Sequence, residues 1–102
     1  MKIYIVTKTS QCYYDLSVIQ TKHGAFLNFD SATKRLKEVI QDFKTKNADN
    51  ITKYSNTTRY SIDEGDLYRE YSDEWGWECS FGHQERHESH QICIDEYDVE
   101  DA

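Results

Sequence analysis

Apolar and polar positions alternate along this chain with two different periods, and each change of period marks an element. Lys2–Lys8 (KIYIVTK) alternates β-branched and aromatic residues with polar ones, the pattern of a half-buried strand. Tyr14–Gln20 (YDLSVIQ) repeats it, with Tyr14, Leu16 and Val18 on one face. Ser10, Gln11 and Cys12 would form the turn between the two strands. Thr21–Gly24 reads as a second turn. Ala25–Phe29 reads as a short strand or an extended lead into a helix.

From there the period lengthens. Ala32, Leu36, Val39, Ile40 and Phe43 recur at helical spacing and form a single apolar stripe. Asp30 or Ser31 is the expected N-cap, because its side-chain oxygen can accept from backbone N–H groups that have no partner in the first turn. Lys44 and Lys46 suit the negative end of the helix dipole, and Asn47 is the expected stop. Lys34, Arg35, Lys37 and Lys44 lie off the stripe and read as a solvated outer face. Asn47–Thr58 (NADNITKYSNTT) predicts a polar loop with at most a helical turn near Ile51–Tyr54.

Period two then returns. Arg59–Tyr71 predicts two short strands around a turn at Asp63–Asp66. In Glu74–Phe81 (EWGWECSF), Trp75, Trp77, Cys79 and Phe81 fall on one face. Gly82–Ser89 predicts a polar loop, and His90–Val99 the partner strand, with Ile92 and Ile94 turned to the same core. These elements predict an α+β fold and a single domain over residues 1–102. An antiparallel sheet of four or five strands would carry one main helix, about residues 30–46, on one face.

Charge changes this picture. Residues 1–53 hold nine Lys/Arg against five Asp/Glu, and residues 54–102 hold three against fourteen, which leaves +4 and −11. The basic half is the N-terminal hairpin and helix; the acidic half is the aromatic-rich strands. An acidic half disfavours free nucleic acid and favours a basic partner. The 14% aromatic content argues against disorder. No apolar run has transmembrane length, and the start lacks the apolar segment and cleavage site of a signal peptide. The expectation is a protein of the host-cell cytoplasm with no membrane partner and with reduced thiols. Its three cysteines fit poorly with a disulfide framework.

Catalytic and metal chemistry have weak signals. Cys79, His83, His87, His90 and Cys93 are concentrated in one segment, but their spacing matches no zinc motif. With Ile92 and Ile94 facing the core, Cys93 points away from Cys79, and no Cys–Cys clamp forms. Only a folded-over loop could gather His83, His87 and His90. Cys12 with His23 would need an oxyanion site that sequence cannot reveal. No phosphate-binding loop, dinucleotide fingerprint or calcium loop is present. No cofactor, metal or enzymatic activity is expected.

Acids interleaved with aromatics give the stronger signal. Asp63, Glu64, Asp66, Glu70, Tyr71, Asp73 and Glu74 form one run; Glu96, Tyr97, Asp98 and Glu100 form another. On a strand, Glu96, Asp98 and Glu100 would repeat on one face every ~6.6 Å. Such a row can occupy Lys/Arg sites that normally hold phosphates. Against this stands the plainer reading of a solubilising acidic surface.

The start MKIYIVTK, the helix DSATKRLKEVIQDF and the ending ICIDEYDVED resemble, in layout, small acidic proteins of phages and mobile elements. Among these the chain resembles the anti-CRISPR proteins, several of which block the nucleic-acid groove of a nuclease. The resemblance spans most of the chain and carries over no functional residue. It implies a small, acidic, cytosolic, non-enzymatic protein that binds other proteins, and the leading expectation is an inhibitor, with its acidic half as DNA mimic, of a basic nucleic-acid-binding protein such as a CRISPR nuclease. The basic helix departs from a uniformly acidic mimic. Two alternatives remain: a structural or regulatory phage or plasmid subunit that binds through aromatic surface, and a His/Cys metal-binding protein.

Overall fold

Alternate residues of five strands meet two helices on one side of a single antiparallel sheet. A computed structural model describes residues 1–12, 16–55, 66–83 and 86–100. The elements are β1 (Lys2–Cys12), β2 (Ser17–Phe26), α1 (Phe29–Lys46), α2 (Ala48–Ser55), β3 (Asp66–Asp73), β4 (Gly76–His83) and β5 (Arg86–Asp98). The strand order is β2-β1-β5-β4-β3, so the first and last strands of the chain are central neighbours. Met1 and Val99 close that pair: the Val99 N–H donates to the Met1 carbonyl at 2.7 Å, and the terminal amine donates to the Val99 carbonyl at 3.1 Å.

The expected α+β architecture is present, and the core follows the predicted periods. Ala32, Leu36 and Phe43 of α1 are buried, as are Trp77, Cys79 and Phe81 of β4 and Ile92 and Ile94 of β5. The ladder sets Trp77 opposite Ile92, and Val6 opposite Ile94. Each such side chain stabilises the fold by about 1.5–3 kcal/mol on burial. Tyr54 of α2 stacks on Phe81 and extends the helical layer toward β3.

Element boundaries depart from expectation where tertiary pairing overrides local pattern. Ser10, Gln11 and Cys12 are strand rather than turn, because β2 and β5 flank β1 on both sides and pair with all three. Thr21–Gly24 is not a turn either. β2 runs through it with an irregularity between the Ile5↔Ala25 and Thr7↔Lys22 pairs, and Gly24 takes a positive φ of 126° there. The helix starts earlier than Asp30: Asn28 is the N-cap, its side chain accepting the Ser31 N–H at 2.8 Å. This start lets Phe29 pack between Tyr4 and Trp75. The predicted loop after Asn47 contains α2. Most of the predicted loop 82–89 is strand, with β4 reaching His83 and β5 starting at Arg86. The hydroxyl pair Ser80–Ser89, at 3.0 Å, shows how polar residues sustain that ladder. The predicted turn at Asp63–Asp66 lies outside the described residues except for Asp66, where β3 begins.

Candidate partner-binding surface

The strands do not end together. β3 stops at Asp73 and β4 begins at Gly76, opposite Cys93 of β5. β1 and β5 continue beyond that point to the Lys2↔Asp98 pair. The turn between β3 and β4 therefore abuts the projecting end of β5, and the Ile94 N–H donates to the Trp75 carbonyl at 2.7 Å. The turn is shaped by Asp73, whose Oδ1 accepts the N–H groups of Trp75 and Gly76 at 2.8 and 3.0 Å. Gly76 is required by close packing: an added Cβ would lie 2.8 Å from the Ile92 carbonyl oxygen.

This register brings Asp73 and Glu74 of the turn to the end of the sheet where β5 carries Glu96 and Asp98 on the helix face and Asp95 on the opposite face, and Glu100 follows just past the strand. Both sequence runs thus contribute to one acidic end. The row Glu96–Asp98–Glu100 is shorter than predicted, because β5 ends at Asp98 and Glu100 is not in a strand. Glu96 pairs with Lys2 at 3.4 Å, and this partner raises the Lys2 ammonium above its ordinary value. Exposed apolar groups accompany the acids: Met1, Leu27, Trp75, Tyr97 and Val99. Trp75 is predicted as a core residue of β4; it instead sits in the turn, half-exposed, with its ring 4.8 Å from that of Phe29.

The other predicted acids lie elsewhere. Asp66 pairs with His83 at the opposite end of the sheet. Glu70 lies on the helix side of β3, where it accepts from the Tyr68 hydroxyl at 3.1 Å and approaches Lys44 at 3.9 Å. Burial is the first cause that raises Tyr68. Tyr71 is exposed on the sheet face away from the helices. Asp63 and Glu64 lie outside the described residues.

The histidines separate along the β4–β5 hairpin. Strand alternation puts His87 on the face opposite His90, and His83 sits four ladder pairs from His90. No group of three or more potential metal ligands occurs among the described residues. The cysteines divide the same way, with Cys79 buried and Cys93 on the other face.

One constellation has no sequence signal at all. His90 is buried between Phe43 and Phe81. Its Nε2 meets Glu88 Oε1 at 2.8 Å, and its Nδ1 meets Ser10 Oγ at 2.8 Å. A neutral imidazole there donates from Nε2 to the carboxylate and accepts the Ser10 hydroxyl at Nδ1. The pattern has the connectivity of a Ser–His–acid relay. However, Ser10 lies on an interior strand paired on both sides, so the backbone N–H groups near its Oγ are engaged in ladders. Among the described residues, that leaves no backbone pair beside Ser10 to hold an oxyanion. The arrangement satisfies a buried imidazole.

No helix among the described residues is long and apolar enough to cross a membrane. Comparison of the chain with protein-family models, with curated proteins and with solved structures found no match.

Proposed function

We propose that this protein is a non-enzymatic inhibitor that binds a basic nucleic-acid-binding protein through its acidic end. One observation supports the reading: Asp73 and Glu74 of the β3–β4 turn lie at the same end of the sheet as Glu96 and Asp98 of β5, with half-exposed Trp75 in that turn and with Asp95 and Tyr97 on the opposite face. Clustered carboxylates steer a cationic surface into contact, and aromatic rings supply the area that holds it. The layout resemblance to anti-CRISPR proteins makes a CRISPR nuclease the first target to test, with the acidic end occupying its nucleic-acid channel.

The test uses the immobilised protein, nuclease-treated host lysate and buffers of low and high salt, followed by the purified target. The captured target should be released by salt and displaced by DNA. Reversing three charges, Glu74→Lys, Glu96→Lys and Asp98→Lys, should weaken binding at least about tenfold. The control Lys22→Glu, Lys34→Glu should change it little. Unchanged affinity in a folded triple variant rejects this surface. Exposed Met1, Leu27 and Val99 at the same end favour a second reading, a regulatory subunit held by apolar contact. In that case the partner stays bound at high salt.

A further inference from the structure

The two edges of the sheet differ in how they are protected. An edge strand offers a row of backbone N–H and C=O groups to another chain, and folds blunt such edges with charge. β3 carries four charged residues in eight: Asp66, Arg69, Glu70 and Asp73. β2 carries one in ten, Lys22, with His23 neutral, and it has no proline. Among the described residues no strand pairs with the outer side of β2, and residues 17–22 are all exposed. Val18 is 58% exposed on one face and Ile19 66% exposed on the other. This stretch pairs with β1 without a break, since the irregularity lies beyond Lys22. It is a regular, weakly charged and open edge.

We propose that β2 pairs with β2 of a second copy of this chain, antiparallel and centred on Ile19, so that two sheets join into one of ten strands. The inference goes beyond the partner-binding reading and does not depend on it. Charge selects the occupant. A chain of net charge -7 repels its own copy at most surfaces, but the acid-rich strands β5, β4 and β3 all lie on the far side of β1 from β2. Joined at β2, the two β5 strands stand five strand spacings apart, about 24 Å, well beyond the screening length of about 8 Å at physiological salt. Joined at β3, the acidic strands would meet. An antiparallel edge is also self-complementary, because two-fold symmetry sets each open N–H against a carbonyl of the copy. Centring on Ile19 brings the two isoleucines together as a β-branched cross-strand pair and sets Val18 opposite the partner's Gln20. It leaves the two Lys22 ammonium groups at opposite ends of the paired stretch, about 20 Å apart. The two acidic ends then point in opposite directions, and the dimer presents that surface twice.

Sedimentation velocity of the full chain, from micromolar to near-millimolar concentration, is the test. The protein should pass from monomer to dimer as concentration rises, and the dimer should survive high salt, because no ion pair crosses it. Ile19→Lys changes an exposed position that the monomer tolerates, and it should weaken the dimer at least about tenfold. Tyr71→Lys, at the comparably exposed Tyr71 of the other edge strand, should leave the dimer unchanged. Cross-linking reads the register. In a Cys12→Ser, Cys93→Ser background, Ile19→Cys should form a disulfide-linked dimer under mild oxidation, and Arg69→Cys on β3 should not. A chain that stays monomeric throughout, a dimer that Ile19→Lys leaves intact, or disulfide-linked dimers of the Arg69→Cys variant overturn the proposal.

Discussion

Leu16 holds a backbone conformation that leucine rarely adopts. Its φ is 58°, and its side chain is 77% exposed, so no burial offsets the strain. A left-handed residue with a Cβ costs about 1–2 kcal/mol, and asparagine tolerates the region better. Leu16→Asn should raise stability by about 1 kcal/mol, or roughly 4–8 °C in thermal midpoint for a chain of this size. Circular dichroism melting checks it, and an unchanged or lower midpoint would show that the leucine has a role in the fold. Cys79 gives a pH signature. Burial pushes its thiol up from 9.0 to about 11. The folded state therefore holds this proton more tightly than the unfolded one. Its contribution to stability is fully present below about pH 9 and is lost as pH rises toward 11. Urea midpoints measured across that range should fall, and Cys79→Val should flatten the fall. Some slope should persist in the variant, because Tyr68 and Lys2 are raised as well.

The helix α1 joins the layers through one stripe, and its energetics follow from which residues that stripe buries. Leu36 is 4% exposed and packs in the central cluster. Leu36→Ala should cost about 2–5 kcal/mol in urea denaturation. Lys34→Ala, on the exposed face, should stay within about 0.5 kcal/mol. This contrast was legible in the sequence, since each helix residue's burial is fixed by its own position in a 3.6-residue period. The same holds for Trp77, Cys79 and Phe81 facing Ile92 and Ile94. What was not legible depends on neighbours distant in the chain. Ser10 looked like a turn residue because its bond to His90 spans 80 positions. Trp75 continued the period of β4 perfectly, yet β4 begins one residue later, where Gly76 passes against the Ile92 carbonyl. Asn28 was overlooked as a cap because Asp30 and Ser31 offered the same chemistry nearby.

Charge divides the molecule along the order of its strands. β2, β1 and α1 come from the basic half of the chain, and β5, β4 and β3 from the acidic half. The sequence revealed that division; it could not reveal that the acids split between the two ends of the sheet. Asp66 is carried to the end with His83, while Asp73 and Glu74 are carried to the end with Asp98. The partner-binding end is thus a product of register, and a shift of β4 along β5 would scatter it even with every acid retained.

The antiparallel pairing of β1 with β5, closed by Met1 and Val99, also fixes how the fold meets mechanical force. Tension applied through residues 1 and 99 acts across the ladder, so the bonds break one pair at a time instead of sharing the load. Opening begins at the two Met1–Val99 bonds, passes to Lys2–Asp98 and reaches the core pair Val6–Ile94 after a few steps. The two strands that hold the centre of the sheet are therefore the ones that part first, and a machine that pulls on both ends would meet little resistance from a fold that heat must melt through its whole core.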